Sequence, residues 1–289
     1  MLWLQLTFTG LQVGALYALT AAGFSLIFGA TRVFHFAHGA AFVLAAYVFY
    51  WAETTGLGMA AGIVLAALAA MAFGVAMDRL VYAPIQRHEG SFFTVFVASF
   101  GIGIAVQNVL GMVFGRSFVT ISTGLSRSVK LMDGVYVSPL AWIAVACAGL
   151  FFVALLLFLN RTHVGMALRA LADSPELIRA YGLDPRRLSS IAFALGSLLV
   201  VPGAVITALG SGLNPTLGNH VMLISLAATI VGGIGSIGGA LVAGFILGLA
   251  ENLALVVFES QWTEAVTFAI LFLVILLRPA GLFGRHATR

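Results

Sequence analysis

Charge is what this chain has least of. Asp, Glu, Lys and Arg make up 8% of its 289 residues, against 61% hydrophobic residues. Soluble domains carry roughly 25% charged residues, because a water-facing surface requires them. The charge here is too sparse to cover such a surface, which excludes a soluble globular protein and leaves a chain solvated by lipid. Cysteine is nearly absent. Cys147 stands alone in an apolar run, which excludes an internal disulfide and leaves the redox compartment unmarked. No P-loop, nucleophile elbow or HExxH stretch occurs. The chain therefore cannot energise transport with ATP by itself, and no catalytic residue, metal site or cofactor is expected. The N-terminal MLWLQLTFTG has no basic segment and no small-residue cleavage site, so it reads as the start of a retained span, not a signal peptide. The net charge of +4 comes from 14 Lys+Arg against 10 Asp+Glu. In a membrane protein such residues report orientation, not a nucleic-acid partner.

What the chain has in quantity is long apolar runs. Crossing about 30 Å of hydrocarbon takes roughly 20 helical residues. Candidate spans cover residues 8–28, 40–51 with its flanks, 59–82, 93–114, 138–159, 189–209 and 262–277. The second is short enough to be a half-helix. Residues 221–258 form a single apolar region that would make a helix of about 57 Å, too long for one ordinary span. It is interrupted by Gly232-Gly233-Ile234-Gly235-Ser236-Ile237-Gly238-Gly239. The region reads as two segments joined at a Gly-rich break, re-entrant or not. Broken backbone at membrane depth survives only where protein or a water-filled cavity satisfies it, and transporters place such breaks near their pathways. The small-xxx-small pairs Gly235/Gly239 and Gly244/Gly248 equally suit a close packing seam. The expected architecture is an all-α transmembrane bundle of about eight spans, residues 1–289 forming one membrane domain.

Basic residues set the orientation. The stretch 160–188 carries Arg161, Arg169, Arg179, Arg186 and Arg187 and is expected in the cytoplasm. Counting spans back puts Arg32, Arg79 and Arg87 inside and the N-terminus outside. The tail with Arg278, Arg285 and Arg289 is inside if 221–258 crosses twice. Residues 115–137, with Arg116, Arg127 and Lys130, then lie outside, against a strict positive bias. Within 160–188, Val164, Ala167, Leu168 and Leu171 fall on one helical face. Ser174-Pro175-Glu176 reads as an N-cap, a first-turn proline and a first-turn acid, opening a second short helix that stops at Gly182. Two short amphipathic helices suit docking onto a soluble partner, or lying on the membrane surface. Asn160-Arg161-Thr162 matches a glycosylation sequon, which a cytoplasmic position makes a chance match.

A few polar residues interrupt the spans. Gln107 and Asn108 sit mid-span, and Glu251-Asn252 lies late in the Gly-broken region. Polar groups there are expensive and face the bundle interior, either as interhelical hydrogen bonds or as solute contacts. His35 and His38 are spaced i, i+3, too few ligands for zinc.

The chain resembles the permease subunits of bacterial branched-chain amino-acid ABC importers, the LivH type. The residues that carry the resemblance are Gly14-Ala15-Leu16-Tyr17-Ala18-Leu19, Phe36-Ala37-His38-Gly39, Gln107-Asn108, then Thr162, Gly165, Arg169-Ala170 and Gly182. Asn214-Pro215, Gly232 to Ser236 with Gly244, Gly248 and Glu251, and Arg278-Pro279-Ala280-Gly281-Leu282-Phe283-Gly284 complete it. Their order and spacing run over nearly the whole length. The resemblance implies a permease in the bacterial inner membrane, with no catalysis of its own. Its implied partners are a second related permease, two cytoplasmic ATP-binding subunits and a periplasmic solute-binding protein. The candidates for the translocation pathway are His38, Gly39, Gln107, Asn108, Gly233, Gly235, Ser236 and Glu251. Those for coupling to the ATPase are Thr162, Gly165, Arg169, Ala170 and Gly182. Two positions depart from the family pattern. His35 stands where Asn is usual, and Ile224 where related permeases often have Lys, which leaves the solute open among branched-chain amino acids, urea, short amides and other amino acids. An ion-coupled transporter would need a coupling carboxylate, for which Glu251 is the candidate. An intramembrane enzyme would need His35, His38 and Glu251 to converge.

Overall fold

A computed structural model describes residues 1–88, 90–121, 123–132 and 134–284. In chain order the elements are α1 (Leu2–Thr31), α2 (His38–Thr54), α3 (Met59–Ala76), a π-helical stretch (Met77–Tyr82), α4 (Ala83–Arg87), α5 (Phe92–Phe114), β1 (Val129–Met132), β2 (Val135–Val137), α6 (Pro139–Arg161), α7 (His163–Asp173), α8 (Pro175–Ala180), α9 (Pro185–Leu199), α10 (Val201–Gly210), α11 (Leu217–Gly232), α12 (Ile237–Ala254) and α13 (Thr263–Leu277). Among the described residues, seven stretches are long and apolar enough to cross a bilayer, with α3–α4 and α9–α10 each continuous. The chain is thus an all-α membrane bundle with one small β-hairpin.

Apart from α7 and α8, two helices remain, and they are shorter. α2 has 17 residues and α11 has 16, or about 26 Å and 24 Å at 1.5 Å per residue. Non-helical backbone precedes each of them, at 32–37 and 211–216. Such backbone is tolerated at depth only when its polar groups are satisfied by protein. The Ala37 amide donates to Ser99 Oγ at 2.8 Å, and the Thr216 amide donates to Asn214 Oδ1 at 3.0 Å.

The helix ends sort into two groups. At one end, Gln5 and the Tyr136 backbone exchange two hydrogen bonds of 2.7 Å, and Val119 pairs with Leu213. At the other, Arg32 Nη2 reaches the Ala172 carbonyl at 3.4 Å. There too the Leu282 and Phe283 amides donate to the Val231 and Gly232 carbonyls, at 2.8 and 3.0 Å. Arg278 therefore lies at the same end as the 160–188 stretch, while Arg285 and Arg289 lie outside the described residues.

The 221–258 region divides into α11 and α12. The junction lies at this second end, beside Gly29 near the close of α1, so the region is Gly-broken and not re-entrant. Gly233 and Gly235 have φ of 103° and 84°, values that side chains with a Cβ disfavour. The backbones of Gly232 and Gly239 touch, and a Cβ on Gly232 would lie 2.2 Å from the Gly239 carbonyl carbon. The Gly232–Gly239 pair is a packing seam, whereas a Cβ on Gly235 would meet nothing within 4 Å.

α1 is the central post. It packs most extensively against α12, and also against α9, α11 and α6. Helix association in lipid depends on close van der Waals approach, which small residues permit. Gly14 meets Gly248 and Ala18 meets Gly244, backbone against backbone. The outward faces of α5, α6 and α13 carry exposed residues such as Phe93, Leu150 and Leu276, as a lipid-facing surface requires.

Candidate functional site

The N-termini of the two short helices meet. Gly39, in the first turn of α2, lies against the backbone of Gly218 in the first turn of α11, and a Cβ on either would strike the other chain segment. His38 fixes the depth of this crossing, because its Nε2 lies 3.0 Å from the carbonyl of Thr20, in the middle third of α1. Neither helix has a side-chain cap. Some first-turn amides find backbone partners, His38 at His35, Leu217 at Asn214 and Asn219 at Thr216, but a helix N-terminus still carries about half a positive elementary charge. Two such ends therefore converge near the middle of the bundle.

A narrow groove opens beside the crossing. Its walls are Gly39, Val43, Ile104, Gln107, Asn219 and Met222. Asn219 Nδ2 donates to Gln107 Oε1 at 3.1 Å, joining α11 to α5. The groove leads to a cavity of about 260 Å³ lined by Gln107, Asn108, Arg116, Asn214, Pro215 and Thr216. There Arg116 Nη2 donates to Asn108 Oδ1 at 3.1 Å. Both face outward from the chain, so the polar stripe lies on its lateral surface.

Of the pathway candidates, Gly39, Gln107 and Asn108 come together here. His38 does not line the groove and is buried against α1. Gly233, Gly235 and Ser236 lie in the α11–α12 turn. Gly233 packs on Ala280 and Gly284, and Ser236 Oγ caps α12 by accepting from the Gly239 amide at 3.1 Å. Glu251 belongs to a separate cluster. His220 Nε2 lies 3.3 Å from Glu264 Oε1 and 4.0 Å from Glu251 Oε1, and the Tyr17 ring centroid is 6.2 Å from that of His220. Asn219 and His220, adjacent on α11, thus point to different clusters.

His35 and His38 stand side by side but do not converge with Glu251. His35 Nδ1 pairs with Tyr82 Oη at 2.7 Å, and Tyr82 Oη donates to Ser99 Oγ at 2.7 Å. The π-helical stretch turns Tyr82 inward here. Among the described residues no group of three or more His, Cys, Asp or Glu is arranged to hold a metal.

The 160–188 segment folds as the two short helices α7 and α8. Thr162 Oγ1 caps α7, accepting from the Gly165 amide at 3.0 Å. Gly165 lies against the Phe158 carbonyl, with no room for a Cβ. Arg169 Nη1 donates to Asn160 Oδ1 at 2.7 Å, tying α7 to the end of α6. Ala170 accepts from the Ser174 amide at 2.9 Å, and Gly182 closes α8 with φ 76°. The apolar face behaves differently from a free docking face. Ala167, Leu168 and Leu171 are buried, because α7 packs on α6, α1 and α9. Val164, the first residue of that expected face, stays exposed, as do Met166, Leu177, Tyr181 and Leu183.

Asn219, Thr216 and Gly218 escaped the sequence reading because residues 210–220 resemble a loop between two spans. The clue was polar residues immediately before a long apolar run, after Asn214-Pro215. Tyr17, His220 and Glu264 lie far apart in sequence, and only packing joins them.

The sequence profile of the family described as "Branched-chain amino acid transport system / permease component" matches residues 6–275. The chain is 31% identical to the high-affinity branched-chain amino acid transport system permease protein BraD of Pseudomonas aeruginosa, over 98% of this chain and 96% of that one. It is 29% identical to the corresponding LivH protein of Escherichia coli K12, with the same shares covered. A shorter similarity, 29% over 42% of this chain and 33% of the other, links it to the xylose transport system permease protein XylH of the same organism. A profile match along almost the whole chain, joined to end-to-end similarity with BraD, shows that the protein belongs to the branched-chain amino acid transport system permease family.

Proposed function

We propose that this chain forms half of the translocation pathway of a branched-chain amino-acid importer in the bacterial inner membrane. One observation carries the reading: the N-termini of two short helices meet at mid-depth beside an apolar groove with one amide pair. An amino-acid carboxylate is favoured at helix N-termini. Val43, Ile104 and Met222 supply an apolar wall of the kind a branched side chain packs against, and the groove, about 10 Å³ in this structure, widens when the solute passes. The polar stripe of Gln107, Asn108 and Asn219 lies on the lateral surface, which supports a second related permease facing it, since polar groups are costly against lipid. Two ATP-binding subunits carry out all the hydrolysis and couple to the permease pair through the 160–188 segment, and a periplasmic binding protein delivers the solute to the opposite end.

Replacing Gln107 or Asn219 by Leu is expected to lower uptake of radiolabelled leucine about tenfold. A lost hydrogen bond to a charged group is worth about 1.5 kcal/mol. The amount of assembled transporter should not change. Competition by unlabelled isoleucine, valine, urea and acetamide identifies the solute class. Competition by urea or acetamide alone refutes the amino-acid assignment. The orientation has its own check. A cysteine at exposed position Tyr181, in a Cys147→Ala background, should resist an impermeant thiol reagent in intact cells, and rapid labelling from outside reverses the topology.

A further inference from the structure

A cavity of about 660 Å³ lies apart from the groove, at the end that carries α7 and α8. Arg79, Arg87, Arg179, Arg186 and Arg187 line it. They come from the π-helical stretch, α4, α8 and α9. Orientation requires basic residues somewhere at this end of the membrane, but it does not require four separate stretches of chain to gather them around one cavity.

The two acidic groups of the cavity do not balance them. Asp78 is buried and accepts from the hydroxyls of Ser189 and Ser190, at 2.7 and 2.6 Å. Asp184 lies 3.7 Å from Arg187 Nε on an exposed edge and also caps α9, accepting from the Arg186 amide at 2.9 Å. Arg79 is held in place by donation from Nε to Ser190 Oγ at 3.1 Å. Among the described residues Arg87, Arg179 and Arg186 have no ion-pair partner. Guanidinium groups pair bidentately with phosphate oxygens, and a bound anion relieves the repulsion among gathered cations. Leu80, next to Arg79, is 74% exposed on the apolar flank, so acyl chains have a surface beside the cavity.

We propose that this cavity binds a phosphate group, carried by an anionic lipid of the adjoining leaflet or free in solution. Basic pockets between transmembrane helices at the cytoplasmic side have the right chemistry for lipid headgroups. The leaflet assignment rests on the orientation proposed above. The binding test does not, because it is run in detergent with both ends open.

The experiment is native mass spectrometry of the purified full chain and of the assembled transporter, with dioleoylphosphatidylglycerol or dioleoylphosphatidylcholine added. Equilibrium dialysis with radiolabelled inorganic phosphate is run in parallel. Phosphatidylglycerol should be retained in preference to phosphatidylcholine. Arg87→Gln and Arg186→Gln should each weaken retention about fivefold, the factor that corresponds to about 1 kcal/mol per basic residue near a membrane surface. Arg127→Gln, at the opposite end, should leave it unchanged. Monodisperse elution of each variant separates lost binding from lost folding, and Arg87→Lys should recover most of the retention. Saturable inorganic phosphate binding that the same variants weaken, without lipid preference, assigns the site to soluble phosphate. Equal retention by wild type and both glutamine variants overturns the proposal. So does release of the lipid when the ATP-binding subunits assemble, which assigns the cavity to that protein interface.

Discussion

Gly248→Leu is expected to abolish accumulation of folded protein. α1 and α12 form the most extensive helix pair of the bundle. A Cβ on Gly248 would lie 2.3 Å from Gly14 Cα and 2.4 Å from Gly14 N. These are backbone atoms, so no rotamer change relieves the overlap, and the two helices must separate. Overpacking a core costs about 1–3 kcal/mol when side chains can shift, and more where only helix displacement is left. Gly244→Leu, which meets Ala18 Cα at 2.5 Å, is expected to behave in the same way. The contrast is Gly235→Leu. No atom lies within 4 Å of its Cβ position, and the strain arises only from a φ of 84°, worth about 1–2 kcal/mol. That variant should accumulate as a monodisperse species at reduced level. Size-exclusion profiles of detergent extracts at matched expression compare the three. Full recovery of Gly248→Leu would falsify the seam.

Arg169→Glu is expected to lower solute uptake at least tenfold while the chain still inserts and assembles. Arg169 is exposed, and its guanidinium bridges α7 to Asn160 in the last turn of α6. A cation near a helix C-terminus is favoured and an anion disfavoured. The reversal therefore loosens α7 from α6 and places repulsion where the ATP-binding subunit is proposed to push. Basal ATP hydrolysis in reconstituted vesicles should persist without stimulation by loaded binding protein, and Arg169→Lys should restore part of the uptake. Unchanged uptake in Arg169→Glu would reduce α7 to a helix resting on the membrane surface.

Much of the fold was legible because lipid imposes a simple rule: a span is a long apolar run. The runs at 59–82, 93–114, 138–159 and 262–277 correspond closely to α3 with its π extension, α5, α6 and α13. The excess length of 221–258 required a break, and glycine marked where it falls. The site was less legible. Gln107 and Asn108 stood out as polar residues inside an apolar run, but their neighbours did not. Asn219 sat in a stretch that reads as a loop, because the sequence does not say that residues 211–216 fill depth that a helix would otherwise occupy.

Composition and hydropathy by themselves determined a lipid-solvated, all-α chain, because charge to cover a water-facing surface is missing and apolar runs of roughly 20 residues fit helices, not the short alternating strands of a barrel. Motif order pointed to its family, and Ser174-Pro175 and Gly182 marked where α8 begins and ends, since caps are local interactions. Only the tertiary structure decided that the N-termini of α2 and α11 meet at Gly39 and Gly218, that the apolar face of α7 is buried in its own bundle, and that five arginines from four stretches surround one cavity. Those are long-range approaches. They depend on how closely backbones pack and on how helices cross, which periodicity along one chain segment does not record.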